Sequence, residues 1–221
     1  MSRREPTWTG PGSELWHGDA LELIRDVGKV DAVITDPPYS SGARSDANRQ
    51  WKNPATAMQI KDVDWFSHDQ MTTWGFGWFA RSAFSQIREI LRPGGHLYCF
   101  IDWRMAPTLY GMLEASGYRV NHCLVWKKPR LGLGRNWRSQ YENIIFASLG
   151  VPDELLSHNL GTVLDAPLVP VKQRRHPTEK PINLVSQIVR AIPAERIFDP
   201  FMGVGTSSGQ NVWPRVRGNR T

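Results

Sequence analysis

Residues 30–35 read Val-Asp-Ala-Val-Ile-Thr, a short β-branched run that breaks off at Asp36-Pro37-Pro38-Tyr39. Two consecutive prolines fix φ twice and remove two N–H donors, so neither a helix nor a strand ladder continues through them. A run of this kind belongs to a strand buried on both faces of a parallel sheet. Parallel strands need helical crossovers, and the flanking sequence supplies them. Upstream, residues 14–17 read as a strand. Asp19 is placed to cap a helix whose apolar face is Ala20, Leu21, Leu23, Ile24 and Val27, closed by Gly28. Downstream, Phe79, Ala83, Phe84, Ile87, Ile90 and Leu91 recur at helical spacing, and Pro93-Gly94-Gly95 turns the chain into a strand over 96–101. A further helix is predicted over 107–115, closed by Gly117. Apolar runs at 120–126 and 142–147 then pair as a hairpin-like unit around a basic loop. Pro181 opens a last helix with Ile182, Leu184, Val185, Ile188, Val189 and Ile192 inward, and Arg196-Ile197-Phe198 is a short final strand. The alternation predicts an α/β fold of three layers, with residues 1–221 as a single domain.

Two stretches stand outside this pattern. Residues 40–77 are polar, punctuated by Gly, Asn and Asp, and studded with aromatics; they read as a long functional loop holding one short helix. Trp51, Trp65, Trp74 and Trp78 crowd here, either to stack on bases or to fill a core, and core is the commoner use. Residues 148–175 are loop-rich. The 221 residues suffice for a real core, and 40% hydrophobic with 22% charged residues excludes wholesale disorder and collagen-like repeats. No apolar run approaches membrane-spanning length, and Met1-Ser2-Arg3-Arg4-Glu5-Pro6 does not read as a signal peptide. Cys99 and Cys123 fall in apolar runs, as buried free thiols in a reducing cytoplasm would. His17, His68, His122 and His158 lack metal spacing, so no metal is expected. The net charge of +6 favours a polyanionic partner.

The chemistry-bearing residues follow strands. Asp36 and the carbonyls freed by the two prolines form a rigid acceptor set beside an aromatic face, Tyr39. Such a set recognises a planar –NH₂ on a ring at the carboxyl end of an α/β sheet. In isolation the tetrapeptide also suits a plain Pro-Pro turn with a surface tyrosine. The last predicted strand enters Asp199-Pro200-Phe201-Met202-Gly203-Val204-Gly205-Thr206. Its Gly-x-Gly lets backbone approach a ligand closely or simply makes a tight turn. The lysine of a phosphate loop is absent, and Asp199 would repel phosphate but suit a positive centre or an amino group.

Taken together, these motifs resemble the amino-methyltransferases of DNA, the N6-adenine and N4-cytosine enzymes that use S-adenosylmethionine. Asp36-Pro37-Pro38-Tyr39 is similar to their catalytic motif and residues 199–206 to their cofactor motif. His176-Pro177-Thr178-Glu179-Lys180-Pro181, Leu91-Arg92-Pro93-Gly94-Gly95-His96-Leu97 and residues 138–146 are similar to other family elements. The resemblance runs from about residue 14 to 208, with the catalytic motif first, the order of the family's β group. It implies a Rossmann-like methyltransferase fold with a β-hairpin and S-adenosylmethionine as cofactor. Asp36, Pro37, Pro38 and Tyr39 would be catalytic, with Tyr39 stacking on a base flipped out of the duplex. Asp199, Pro200, Phe201, Gly203, Gly205 and Thr206 would line the cofactor, with Asp36 beside it, Lys180 and Pro181 flanking it and Asp19 near its adenine. DNA is then the expected partner. Lys127, Lys128, Arg130, Arg135 and Arg138 form one basic loop and Lys172, Arg174 and Arg175 another, either solvated or neutralising phosphates. Arg44, Arg49, Trp51 and Lys52 lie in the long loop after the catalytic tyrosine and are expected to contact DNA. The segment 148–175, where β-group enzymes carry target recognition, is short.

After Thr206 the family continues through a helix into a strand with an acidic end that holds ribose hydroxyls. This chain reads Gly209-Gln210-Asn211-Val212-Trp213-Pro214-Arg215-Val216-Arg217-Gly218-Asn219-Arg220-Thr221. That departure predicts one strand missing after the cofactor motif, for which a frameshift in the gene is one explanation. Adenine N6 is the favoured target because an Asp opens the catalytic motif, and cytosine N4 would use the same chemistry. Methylation of RNA or of a protein amide, and a catalytically impaired DNA-binding remnant, are the rival readings. Homodimer formation and a restriction partner are left open.

Overall fold

A computed structural model describes residues 4–39, 71–132, 136–170 and 179–202. Within them the predicted alternation appears as a six-stranded mixed sheet between two helical layers. Strands β1 (Trp8–Gly10) and β2 (Ser13–Leu15) pair antiparallel as a separate two-stranded sheet. The strand predicted at 14–17 therefore belongs to a local hairpin, not to the main sheet. Helix α1 (Ala20–Val27) follows, with the Asp19 side chain accepting from the Leu21 N–H at 2.8 Å and Gly28 closing it at φ 85°. Then come β3 (Val30–Thr35), α2 (Thr73–Ile90), β4 (Leu91–Ile101), α3 (Ala106–Ala115), β5 (Arg119–Lys127), β6 (Tyr141–Ser148), β7 (Val163–Asp165), α4 (Ile182–Ala191) and β8 (Ile197–Phe198).

The sheet order is β7-β5-β6-β4-β3-β8. Strand β3 lies parallel to β4 and to β8, while β6 runs antiparallel to both β4 and β5. Because side chains alternate along a strand, each central strand feeds two cores. Val33, Leu97, Cys99, Ile101, Ile145 and Ala147 pack with α1, α2 and α3 on one face. Ala32, Ile34, Tyr98, Phe100, Ile144 and Phe146 pack with α4 on the other. Burying a Phe such as Phe76 or Phe84, both wholly inaccessible, contributes ~2–3 kcal/mol, and truncation of Phe84 would cost ~3–5 kcal/mol.

Several local readings shift. Helix α2 begins at Thr73, capped by the Thr72 hydroxyl accepting from the Gly75 N–H at 3.0 Å, so the loop expected to reach residue 77 ends earlier. Leu91 is the first residue of β4 and pairs with Val30 rather than continuing the helix. Ala32 then pairs with His96, so residues 92–95 bulge from the ladder. A Cβ on Gly95 would meet the Asp31 carbonyl oxygen at 2.8 Å, which fixes glycine at this close approach. Ile182 is 48% exposed, not inward, because it occupies the open first turn of α4. Trp74 and Trp78 stand on the outer face of α2, 87% and 72% exposed, so their crowding does not serve the core. Within 148–175 the chain forms β7, which extends the sheet edge parallel to β5. Trp51 and Trp65, residues 40–70, and the stretch after Thr206 with its predicted missing strand lie outside the described residues. Among the described residues, no helix is long and apolar enough to cross a membrane.

Candidate active site

The two motifs meet because β3 and β8 are parallel neighbours and both end at the same edge of the sheet. Asp36-Pro37-Pro38-Tyr39 leaves β3 there and Asp199-Pro200-Phe201 leaves β8. Thr35 Oγ, the last side chain of β3, donates to Asp199 Oδ1 at 3.0 Å, and that oxygen also accepts from the Phe201 N–H at 3.0 Å. The Phe201 ring lies 5.4 Å from that of Phe79 on α2. Helix α2 covers one face of the sheet and α4 the other, so the strand ends open into the crevice where α/β sheets bind ligands.

A chain of charges runs along this edge. Lys180, on the segment leading into α4, donates from Nζ to Asp36 Oδ2 at 2.5 Å and lies 2.9 Å from Glu142 Oε1. Glu142, near the start of β6, meets Lys128 Nζ through Oε2 at 2.8 Å, and the Tyr39 hydroxyl donates to Oε1 at 3.3 Å. The side chains of Lys180 and Glu142 are both 8% exposed, and that of Asp36 is 26% exposed. The ammonium of Lys180 also sits 5.3 Å from the Phe100 ring centroid and that of Lys128 4.9 Å from the Trp126 ring. Asp36 Oδ1 is buried and has no hydrogen-bond partner among the described residues. A buried acceptor left unmade is costly in a folded protein and marks a place where a donor belongs.

The two carboxylates differ in state because they differ in company. Burial pushes Asp36 up to about 6; Lys180 pulls it down, while the charges of Glu142 and Asp199 push it up again. Burial works on Glu142 as well, but the two ammoniums of Lys180 and Lys128 hold it below its ordinary value. Lys180 is opposed by burial and held cationic by Asp36 and Glu142, well above its usual range. Burial, then the Glu142 charge, pushes the Tyr39 phenol far up, so it stays protonated and donates.

Of the residues singled out in the sequence, the structure gathers Asp36, Tyr39, Lys180 and Asp199, with Pro37, Pro38, Pro181, Pro200 and Phe201 as their frame. Asp19 is engaged as the cap of α1. Lys128 turns inward to Glu142, and Lys127 makes a long, exposed 4.0 Å pair with Asp165. Arg130 and Arg138 are exposed on the β5–β6 hairpin, with Arg138 Nε donating to the Gly132 carbonyl at 2.8 Å. Gly203, Gly205, Thr206, Arg44, Arg49, Arg135, Lys172, Arg174 and Arg175 lie outside the described residues. Among the described residues no cluster of His, Cys, Asp or Glu suits a metal ion, and Cys99 and Cys123 are free thiols. Glu142 was not singled out from the sequence; its one signal was a charge two residues before the apolar run Ile144–Ala147.

Fold and site together define an α/β domain that gathers a carboxylate, an ammonium and an aromatic ring at the ends of two parallel strands. The N6/N4 methyltransferase family, described as DNA methylase, matches residues 30–208, more than half of the chain. The protein belongs to this family. The type II methyltransferase M2.DpnII of Streptococcus pneumoniae is 24% identical over 87% of this chain and 78% of its own length. The crystal structure of the M1.HpyAVI-SAM complex is similar at a TM-score of 0.58, with 21% identity, over 86% of this chain and 82% of that one. The cytosine-N4-specific PvuII DNA methyltransferase is similar at a TM-score of 0.68, with 14% identity, over 92% and 79%.

Proposed function

We propose that the chain acts as one catalytic domain that methylates the exocyclic amine of a base flipped out of DNA, with adenine N6 the favoured target. The observation that carries this reading is the unpartnered, buried Asp36 Oδ1 at the junction of the two motifs. An exocyclic –NH₂ is the donor it lacks. Hydrogen bonds from that amine to Asp36 and to the Pro37 carbonyl favour a pyramidal nitrogen, whose lone pair is then less delocalised into the ring. Holding the nitrogen in line with an electrophile supplies much of the catalysis. Tyr39 offers a ring face to the base, its hydroxyl tethered to Glu142. Asp36, lifted to about 6, is a better proton acceptor than an ordinary aspartate and takes the proton the amine sheds.

S-adenosylmethionine supplies an electrophilic methyl group when bound, and the donor set present here fits it. Asp199 and Asp36 offer carboxylates to a cationic ligand, Phe201 and Pro200 offer an apolar wall, and Lys180 with Pro181 closes the other side. Exposed Arg130 and Arg138, with Lys127, suit phosphates along the duplex. DNA as substrate and two free thiols suit a cytoplasmic setting.

Labelled methyl transfer from S-adenosylmethionine to unmethylated DNA, followed by digestion to nucleosides, tests the reading. Label in N6-methyladenine is the expected result. Label in N4-methylcytosine keeps the chemistry and overturns the base, and folded protein that transfers none overturns the proposal.

A further inference from the structure

We propose that Glu142 is a positioning residue of this site: it clamps the Lys180 ammonium and the Tyr39 hydroxyl with one carboxylate oxygen, and so restricts how much of Lys180 is available to Asp36. The proposal deepens the methyl-transfer reading and rests on it for the role of Asp36.

The register of β6 puts Glu142 where it is. Ile144 and Phe146, two and four residues on, pack into the core beneath α4, so Glu142 projects into the same layer, opposite Trp126 of β5. A carboxylate only 7% exposed cannot stay charged there without counter-ions. Two reach it, from different elements: Lys128 at 2.8 Å from the end of the hairpin, and Lys180 at 2.9 Å from the approach to α4. Lys180 in turn lies 2.5 Å from Asp36, so one ammonium is divided between two carboxylates.

Among the described residues, the groups facing Asp36 are Lys180 ahead of α4, Glu142 of β6, Asp199 after β8, Tyr39 of its own segment and the neutral Cys99 of β4. Only one of these is a cation. With Glu142 neutral, Lys180 would belong to Asp36 alone. Two things follow for the chemistry. Asp36 would become more acidic and a weaker proton acceptor, because it would gain counter-charge and lose a like charge. The ammonium would also be free to swing onto Oδ1, the oxygen that the amine needs. Tyr39 would keep its ring but lose its charged tether. Glu142 therefore acts on the reacting base through two other side chains, touching neither substrate nor cofactor itself.

The test has a readout independent of activity. Protein labelled with ¹³C at aspartate carboxyls is titrated by NMR, with Asp36→Asn identifying the signal. In the unaltered protein Asp36 is expected to titrate at about 6. In Glu142→Gln it should move down by roughly one unit or more, and the acidic limb of kcat/KM for labelled methyl transfer should move with it. Turnover should fall roughly tenfold while KM for DNA holds. The double variant Glu142→Gln/Lys128→Met removes one charge of each sign, guards against misfolding and should show the same displacement. An Asp36 titration and acidic limb that stay in place in either folded variant overturn the proposal. If Asp36 moves but not even the unaltered protein transfers methyl, the place of Glu142 stands and the methyl-transfer reading falls.

Discussion

Strand β3 carries a carboxylate cluster at each end, and the two are built on opposite rules. At its start, Asp31 Oδ1 pairs with Arg92 Nε at 2.6 Å, while Oδ2 accepts from the Glu195 and Arg196 N–H groups at 3.0 and 2.8 Å. Arg92 goes on to Asp153 at 2.6 Å. Both oxygens of Asp31 are satisfied, and the cluster ties the β4 bulge and the turn before β8 to β3. Burial alone would raise Asp31, but the backbone donor of Arg196 and the Arg92 guanidinium bring it below the usual carboxylate range. Past the other end, Asp36 has one oxygen on Lys180 and one without a partner, and is raised. A cluster that serves the fold satisfies its acceptors. The cluster proposed to serve chemistry keeps an acceptor open and leaves its charge under-compensated.

The contrast breaks first, if it is wrong, at Asp36. Asp36→Ala should reduce methyl transfer by at least roughly a thousandfold with little loss of stability or of DNA retention, read by labelled-methyl assay beside a filter-binding measurement. Comparable activity would mean that the open oxygen has no part in the reaction. Lys180→Met should act on both fold and chemistry. It leaves Asp36 and Glu142 without their shared cation, so urea denaturation should show a loss of ~3–5 kcal/mol. Any residual activity should then need a higher pH, because Asp36 would rise further. Arg92→Met should cost only ~1 kcal/mol, its pairs being partly solvated, and should leave kcat unchanged. A fall in kcat would erase the division between the two ends.

The finest distinction is in pH. Asp36 is raised on folding, so the native state holds its proton where the unfolded chain has released it. Its contribution to stability is full below about pH 4 and declines as pH rises through about 6. Asp31 is lowered, so its contribution is present above the ordinary aspartate range and is lost as pH falls through its folded value. Urea midpoints measured from pH 3 to 7 should therefore lose their acid-side fall in Asp31→Asn and their decline towards pH 6 in Asp36→Asn. Identical profiles in the two variants would contradict the opposite shifts.

What could be read from the sequence was whatever is encoded locally. Asp19, Gly28 and Gly117 punctuate helices by the conformations and side-chain bonds they supply within a few residues. Asp36 and Asp199 announce themselves because prolines and glycines crowd beside them. The hairpin and the inward face of α4 followed from period alone. The misreadings share a cause: the deciding partner was distant. Leu91 has helical spacing, yet Val30 claims it for a ladder. Residues 14–17 look like a sheet strand, yet their hydrogen bonds are satisfied by Trp8–Gly10. Ile182 has the right phase but no neighbour above it. Lys128 looked like any other cation of a basic loop until β6 placed Glu142 beneath it, and Glu142 itself has no local signature.

The hydrogen bond between Thr35 and Asp199 joins residues 164 apart in sequence, and the Lys180–Asp36 pair spans 144. A chain emerging at ~5–20 residues per second thus spends roughly 8–30 seconds between making one half of this contact and making the other. In that interval β3 has, among the described strands, a neighbour on one side alone, and its other edge awaits β8. Strand β8, though only two residues long in the ladder, is what covers that edge. Of the described strands, the last to be synthesised is therefore the one that brings Asp199 to the candidate site and closes the edge that β3 leaves open until then.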